Sequence, residues 1–229
     1  MQEDIAQVLI SATTLRARVR SLGRRIPRDF AGRDLHLVTV MKGGLFFLTD
    51  LARAIERPLS LDCLGISSYA GQKQGTVRIT KDLDDDIAGR NVVIVEDIID
   101  TGLTLAYIRR NLLLRQPASL TICTLLDRPY RRIVDIDVAY VGFTVPDEFV
   151  VGYGLDWRGQ YRNLPYIATL HAEILRRELG KPEIRESEKN LSDEGSSADF
   201  DAVSRHDPTA ASVPTNLATH QDNPEQIKP

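Results

Sequence analysis

The feature that most constrains the fold is a run of β-branched residues that ends in acidic side chains. Val92-Val93-Ile94-Val95 is followed at once by Glu96 and Asp97, and Asp100 comes three residues later. An uninterrupted Val/Ile run is typical of a strand buried on both faces, as in a parallel sheet. Charged residues directly after such a strand lie at its carboxyl end, where open α/β sheets bind their ligands. The segment therefore predicts a ligand site on a parallel α/β fold.

The turn that follows is rich in hydrogen-bond donors. Residues 100–104, Asp-Thr-Gly-Leu-Thr, contain two hydroxyls and a glycine, and a helical pattern begins at Leu105. Backbone amides at a helix N-terminus suit a phosphate, particularly beside hydroxyl donors. Acceptors for sugar hydroxyls or a metal therefore stand next to donors for a phosphate. This combination indicates a phosphorylated sugar as the ligand.

The ordered string VVIVEDIIDTGLTL, residues 92–105, resembles the motif by which type I phosphoribosyltransferases bind 5-phosphoribosyl 1-pyrophosphate (PRPP). It is most similar to the hypoxanthine (hypoxanthine-guanine) branch, and the resemblance extends from about Leu9 to Leu170. It implies a twisted, mostly parallel sheet flanked by helices, with a small hood subdomain. It also implies a purine salvage enzyme that transfers 5-phosphoribosyl from PRPP to hypoxanthine or guanine, with Mg²⁺ as cofactor. A homodimer or homotetramer is expected.

Within this signature the resemblance implies a role for each polar residue. Glu96 and Asp97 would bind the ribose hydroxyls, directly or through Mg²⁺. Asp100 would accept or share a purine proton as the general base. The turn would hold the 5-phosphate. The PRPP-binding residues implied here are Glu96, Asp97, Asp100, Thr101, Gly102, Leu103 and Thr104.

Three further segments complete the PRPP site that the resemblance implies. Lys42-Gly43-Gly44 resembles the pyrophosphate loop, where glycines admit backbone amides close to a diphosphate and the lysine adds a cation. A cis peptide bond between Met41 and Lys42 is implied as well. Ser68 and Tyr69 resemble a mobile loop that closes over the reacting sugar and excludes water. Arg162 resembles an arginine that clamps pyrophosphate.

The purine site implied by the resemblance comprises Arg128, Phe149, Val150 and Asp156. Phe149 would stack on the base, the Val150 backbone would contact the base edge, and Asp156 would hold a second Mg²⁺ or the base. Arg128 stands where the family commonly has a lysine that contacts the exocyclic oxygen of a 6-oxopurine. Arginine keeps a positive donor but has a different, planar reach. The preference among hypoxanthine, guanine and xanthine therefore stays open.

The remainder of the chain alternates strand-like and helix-like segments, which favours a parallel sheet covered on both faces. Residues 67–86 are polar and predict a long loop. The predicted strands are 35–41, 59–66, 119–126, 138–143 and 149–155, and the predicted helices are 13–26, 45–55, 105–115 and 165–179.

Composition sets the domain limits and the class. We expect one domain over residues 1–180, a core plus a hood built from the N-terminal segment and about 145–170. Residues 181–229 are polar without helical or strand periodicity, which predicts a disordered tail.

The net charge of -3, the acidic N-terminus and the lack of a long apolar run predict a cytoplasmic protein with no nucleic-acid or membrane partner. Cys63 and Cys123 lie in apolar runs and are expected to be reduced core residues.

Other classes fit less well. A regulatory protein that binds PRPP without catalysis would keep the signature, but such proteins usually add a nucleic-acid-binding surface, and none is evident. Transfer to adenine, xanthine or orotate would keep the chemistry and change the acceptor. A dinucleotide-binding oxidoreductase and a P-loop ATPase are disfavoured because neither glycine-rich motif is present.

Overall fold

A computed structural model describes residues 1–68 and 77–179 of the 229-residue chain. Its main sheet has six strands in the order β4-β3-β2-β5-β6-β7. These strands are β2 (His36–Met41), β3 (Ser60–Ser68), β4 (Val77–Lys81), β5 (Asn91–Ile99), β6 (Ser119–Asp127) and β7 (Tyr140–Thr144). Neighbouring strands pair in parallel, except that β4 runs antiparallel to β3. The predicted α/β fold is confirmed.

Three of the four described helices cover the two faces of this sheet, and the last packs with residues of a second, smaller sheet. The helices are α1 (Ala12–Asp29), α2 (Leu45–Ala54), α3 (Leu103–Leu113) and α4 (Ala172–Leu179). On one face, Val93 and Val95 belong to a core cluster with buried residues of α1 and α2. On the other face, Val92 and Ile94 pack with Leu105, Ile108 and Leu112 of α3. The four residues of the Val/Ile run are therefore fully buried from both sides.

A second sheet of three strands holds both ends of the described chain. It pairs β1 (Ile5–Ile10), β9 (Ile167–Leu170) and β8 (Val150–Val151) in the order β1-β9-β8, all antiparallel. The Tyr153 hydroxyl donates to Asp50 Oδ2 at 2.6 Å, which links this region to α2.

Two secondary-structure predictions were wrong. Residues 165–179 do not form one helix, because 167–170 form the buried strand β9 and helix α4 begins only at Ala172. Pairing with β1 and β8 satisfies the backbone of these four residues, and their side chains are all buried. Residues 67–86 are not a single loop, because 77–81 form β4 against β3. The domain division at residue 180 stays a prediction, and residues 181–229 lie outside the described residues.

A polar network fixes the loop between β4 and β5 at the amino edge of the sheet. Asp62 accepts the backbone N–H of Asp84 at 2.7 Å and of Asp85 at 3.0 Å. In the part of the chain that the structure describes, His36, Asp62 and Asp85 form the one group of histidine and acidic residues gathered within 4.8 Å. Arg90 Nη1 lies 3.5 Å from Asp85, so these carboxylates already have partners. We assign the group to holding the loop.

Both cysteines are free in the structure. Cys123 is buried and Cys63 is half-buried. Burial raises the pKa of both thiols, which keeps them in the unreactive thiol form. Cys123 lies in the core as predicted, and Cys63 packs against it.

Candidate active site

A cavity of about 260 Å³ opens at the carboxyl edge of β2, β3 and β5. Its position follows from the chain order, because the acidic residues come at the end of β5 and the predicted phosphate-binding turn comes next. It is lined by Val40, Met41, Gly43, Ile66, Glu96, Asp97, Ile98, Ile99, Asp100, Thr101, Gly102, Thr104 and Leu105. Seven of the predicted PRPP-binding residues therefore share one hollow.

The turn before α3 has the geometry that a phosphate site needs. Gly102 is the N-cap of α3 and adopts the left-handed conformation, with φ +82°. The Leu103 N–H donates to Thr101 Oγ1 at 3.4 Å, and the Thr101 carbonyl accepts from the Ile133 N–H at 2.9 Å. Thr101, Gly102 and Thr104 line the cavity at the N-terminus of α3, where backbone amides suit an anion.

Glu96 and Asp97 are acidic groups placed where water reaches them poorly. Glu96 is buried, and burial together with the neighbouring Asp97 charge raises its pKa well above the usual range. Burial also raises the pKa of Asp97, against the lowering effects of the Ile98 N–H and the Arg162 guanidinium. Charged carboxylates in such a place are costly unless a cation or a donor compensates them. A bound cation or sugar hydroxyls would supply that compensation.

The loop after β2 lies directly against Asp97. The Met41–Lys42 peptide bond is cis, as the resemblance predicts. A Cβ atom at Gly43 would overlap Asp97 Oδ2, and a Cβ atom at Gly154, which has φ +103°, would overlap the Gly43 carbonyl oxygen. Only glycine at these two positions allows the three backbone segments to approach this closely.

A second cavity of about 220 Å³ shares a wall with the first. It is lined by Gly43, Asp97, Ile98, Asp100, Arg128, Phe149, Val150, Leu155, Asp156 and Arg162. The first four of these residues also line the first cavity. The predicted purine residues thus lie together, next to the predicted sugar site and across Asp97 and Asp100 from it.

Phe149 offers an open aromatic surface to this second cavity. It is 40% exposed, and its ring meets the Trp157 ring edge-on with centroids 5.0 Å apart. A flat heteroaromatic base can stack on such a ring, a contact that contributes about 1 kcal/mol. Val150 follows Phe149 in β8 and is buried.

Arg128 is buried beside Asp100 in the wall of the second cavity. Its Nη1 lies 3.8 Å from Asp100 Oδ2, its Nη2 donates to the Glu148 carbonyl, and its Nε is buried without a partner in the described residues. Burial lowers the pKa of this guanidinium, and the Asp100 charge acts in the opposite direction. A positive donor is therefore present at the position where a lysine is common.

Asp156 and Arg162 form a pair at the rim of the second cavity. Arg162 Nη2 lies 2.6 Å from Asp156 Oδ1, and the Gly159 N–H donates to Asp156 Oδ2 at 2.6 Å. Arg162 also donates to the carbonyl of Gly154. The pair ties the glycine-containing segment to the cavity wall.

Not every predicted residue is part of these two cavities. Within the described ranges, Lys42, Gly44 and Leu103 line neither of them, and Lys42 is exposed. The proposed metal ligands are divided, because Glu96 lines the first cavity, Asp156 the second, and only Asp97 both. The mobile-loop prediction falls on Tyr69, which lies outside the described residues, and on Ser68, whose side chain is not described.

Sequence reasoning missed Arg131 and Asp147. Arg131 Nη1 lies 3.1 Å from Asp100 Oδ2, and Arg131 Nε lies 2.7 Å from Asp147 Oδ1. No local pattern indicates this contact, because Arg131 and Asp100 are 31 positions apart. The only signal is the cluster of three arginines at 128, 131 and 132, close to the predicted base contact.

The fold and the paired cavities define an α/β protein that binds a phosphorylated sugar beside a flat base. A phosphoribosyl transferase domain model matches residues 11–158. Hypoxanthine-guanine phosphoribosyltransferase of Mycobacterium avium is 51% identical over 179 residues, which are 75% of this chain and 88% of the relative. Hypoxanthine phosphoribosyltransferase of Salmonella typhimurium is 48% identical over 165 residues, which are 70% and 93% of the two chains.

Comparison with a solved structure supports the same family. The crystal structure of a hypoxanthine phosphoribosyltransferase from Staphylococcus aureus superposes with a TM-score of 0.73 at 45% identity, covering 76% of this chain and 96% of that one. The chain belongs to the phosphoribosyltransferase family, and its fold is the type I fold of that family.

Proposed function

We propose that the protein is a purine salvage enzyme that transfers the 5-phosphoribosyl group from PRPP to hypoxanthine or guanine and releases pyrophosphate. The observation that carries this proposal is the pair of cavities with Asp97 and Asp100 in their common wall. A sugar in the first cavity and a base in the second would meet at that wall. Both relatives named above carry hypoxanthine in their names, and the Mycobacterium avium relative carries guanine as well.

The reaction has a simple balance of bonds. A bond forms between C1 of the ribose and a purine ring nitrogen, while the bond from C1 to the pyrophosphate oxygen breaks and its electron pair leaves with pyrophosphate. The base loses a proton, which Asp100 is placed to accept. Holding both reactants in adjoining cavities converts a bimolecular encounter into a step within one complex.

Each wall of the two cavities has a task in this proposal. The turn from Asp100 to Thr104 holds the 5-phosphate, and Glu96 and Asp97 hold the ribose hydroxyls. Phe149 stacks on the base, the Val150 backbone contacts its edge, and Arg128 donates to the exocyclic oxygen. Gly43 and Arg162 of the second cavity, with Lys42 and Gly44 of the loop beside it, would contact the pyrophosphate.

We also propose Mg²⁺ as the cofactor. The donors fit this ion, because carboxylate oxygens are hard ligands and buried Glu96 and Asp97 gain from a nearby positive charge. Glu96, Asp97 and Asp156 are the residues that would hold it, directly or through water. When bound, the ion would neutralise the charge of the leaving pyrophosphate.

The test is to incubate the purified full chain with PRPP, Mg²⁺ and one base at a time, using hypoxanthine, guanine, xanthine and adenine. The proposal expects IMP with hypoxanthine, GMP with guanine, or both, each with one equivalent of pyrophosphate. PRPP binding without any nucleotide would instead support a regulatory protein, an alternative that the relatives do not support.

We further propose that the protein works as a homodimer or homotetramer in the cytoplasm. Large apolar side chains on and after α3 are exposed, including Leu114 at 77% and Ile133 at 70%, and contact with a second copy would cover them. No helix among the described residues is long and apolar enough to cross a bilayer. Light scattering on the full chain measures the mass, and a monomer would contradict the assembly.

A further inference from the structure

The two oxygens of Asp100 have different surroundings. Asp100 Oδ2 lies 3.1 Å from Arg131 Nη1 and 3.8 Å from Arg128 Nη1. Asp100 Oδ1 is buried and accepts no hydrogen bond from the residues that the structure describes. The carboxylate is therefore held by arginines at one oxygen, while its other oxygen is enclosed by the fold.

Arg131 is itself held in place by a second acid. Its Nε lies 2.7 Å from Asp147 Oδ1, and its backbone N–H donates to the Arg128 carbonyl at 3.1 Å. Asp147 comes two residues before Phe149, in the segment that forms one wall of the second cavity. Asp147, Arg131 and Asp100 consequently form a chain of contacts from the base-stacking segment to the proposed general base.

We propose that Arg131 is a positioning residue for Asp100, and that Asp147 positions Arg131 in turn. This inference rests on the proposed function. A carboxylate can rotate about its Cβ–Cγ bond and exchange its two oxygens. The contact at Oδ2 stops that rotation and fixes the orientation in which the carboxylate meets the purine proton. A reacting group oriented by a second residue, which a third residue holds, is a recurrent arrangement in enzymes.

Because the ion pair of Arg131 with Asp147 is exposed, a positioning role and a structural role of Arg131 predict different results. The side chains of Arg131 and Asp147 are 47% and 59% exposed. Ion pairs as open as these contribute little to stability. Removing Arg131 is therefore expected to change turnover far more than folding. A tether that only stabilised the 129–131 turn would change the melting temperature instead.

The experiment compares steady-state kinetics of the full chain and its variants with hypoxanthine, PRPP and Mg²⁺. Arg131→Gln is expected to lower kcat by about tenfold or more, in the range that misplacing a catalytic group costs. The KM for PRPP is expected to change less than about twofold, because Arg131 lines neither cavity. Arg131→Lys should restore part of the loss. Arg109→Gln, an exposed arginine on α3, is the matched control and should leave kcat unchanged.

The decisive comparison is made in an Asp100→Asn background by single-turnover measurement. If Arg131 acts through Asp100, then adding Arg131→Gln to the Asp100→Asn variant does not lower the single-turnover rate any further. Asp147→Asn should lower kcat in the same direction as Arg131→Gln, and the Arg131→Gln/Asp147→Asn double variant should be no slower than Arg131→Gln alone. An equal loss from Arg131→Gln with and without Asp100, or an unchanged kcat, would overturn the inference. A wild-type chain that forms no nucleotide would overturn the proposed function as well.

Discussion

At the residue scale, the site is built around acids whose charge the fold alone does not compensate. Glu96 is buried, and its pKa is raised by burial and by Asp97. A raised pKa in the folded state means that ionisation of Glu96 opposes folding. The chain keeps this arrangement at the one edge of the sheet where a cation or sugar would relieve it. Stability and function therefore conflict at Glu96.

This conflict predicts that Glu96→Gln stabilises the ligand-free protein. Below the ordinary glutamate pKa, Glu96 is protonated in both states, so the two proteins should melt alike. As pH rises from the ordinary glutamate pKa through the raised pKa, Glu96 loses its proton more readily in the unfolded wild type than in the folded one. The folded wild type therefore loses stability and the variant does not, so the variant should melt higher. Each kcal/mol raises the melting temperature by roughly 2–4 °C in a domain of this size.

Thermal unfolding of both proteins at a series of pH values tests this, without PRPP and with a chelator. Calorimetry with PRPP and Mg²⁺ should show weaker binding by the variant. Equal melting temperatures at every pH would show that Glu96 is not buried as a charge.

In the proposed reaction, the chemical step depends on Asp100. Asp100→Asn keeps the shape of the side chain but removes its ability to take a proton. Turnover with hypoxanthine should fall by about a hundredfold or more, as expected for loss of a general base. PRPP affinity, measured by calorimetry with Mg²⁺, should change far less. A variant as active as the wild type would remove Asp100 from the role of base.

At the element scale, the site depends on a strand, a tight turn and a helix that follow one another in the chain. Strand β5 contains Glu96 and Asp97, Gly102 lies in the turn, and the N-terminus of α3 follows directly. A Cβ atom at Gly102 would lie 3.1 Å from Ile136 Cδ1 and 3.2 Å from the Val134 carbonyl oxygen, in addition to the cost of its positive φ. The turn is therefore crowded as well as conformationally demanding.

Gly102→Ala is accordingly expected to destabilise the protein and to weaken PRPP binding. Gly89→Ala is the matched control, because Gly89 has φ +68° and open space around its Cβ position. The control should lose about 1 kcal/mol for its backbone conformation. Gly102→Ala should lose more, and it alone should lower PRPP affinity. Denaturant unfolding measures the stability of each variant, and calorimetry measures its PRPP affinity. An equal loss of stability in Gly102→Ala and Gly89→Ala would contradict the crowding at Gly102.

The parts of the fold predictable from sequence are those whose signal is local. The Val/Ile run, the acids after it and the glycine turn are contiguous, so one segment indicates strand, edge and ligand together. Strand β9 was mistaken for helix because four residues, Ile-Ala-Thr-Leu, are too few to show a period. Its identity depends on pairing with β1, more than 150 residues away. The contact of Arg131 with Asp100 was missed for the same reason, because the two residues follow neighbouring strands and are 31 positions apart.

At the scale of the whole molecule, each of the two sheet regions contributes a different set of residues to the proposed site. The six-stranded sheet carries Glu96, Asp97 and Asp100, and the segment that includes β8 carries Phe149 and Val150. The sugar cavity and the base cavity therefore meet where these two parts of the chain meet. The C-terminal residues after Lys181 contribute none of the proposed site residues.

Deleting all residues after Gly180 is therefore expected to leave kcat and KM within about twofold of the full chain. The polar composition of this segment cannot bury enough apolar surface to stabilise the core. Circular dichroism and the same kinetic assay compare the two proteins. Loss of the folded core on truncation would show that the segment is part of the domain.

The most direct test of the account is a crystal structure of the full chain with IMP, Mg²⁺ and pyrophosphate. The account predicts the 5-phosphate at the turn from Asp100 to Thr104, the ribose beside Glu96 and Asp97, and the purine ring on Phe149. A nucleotide bound elsewhere, or with its base in the first cavity and its phosphate in the second, would contradict it.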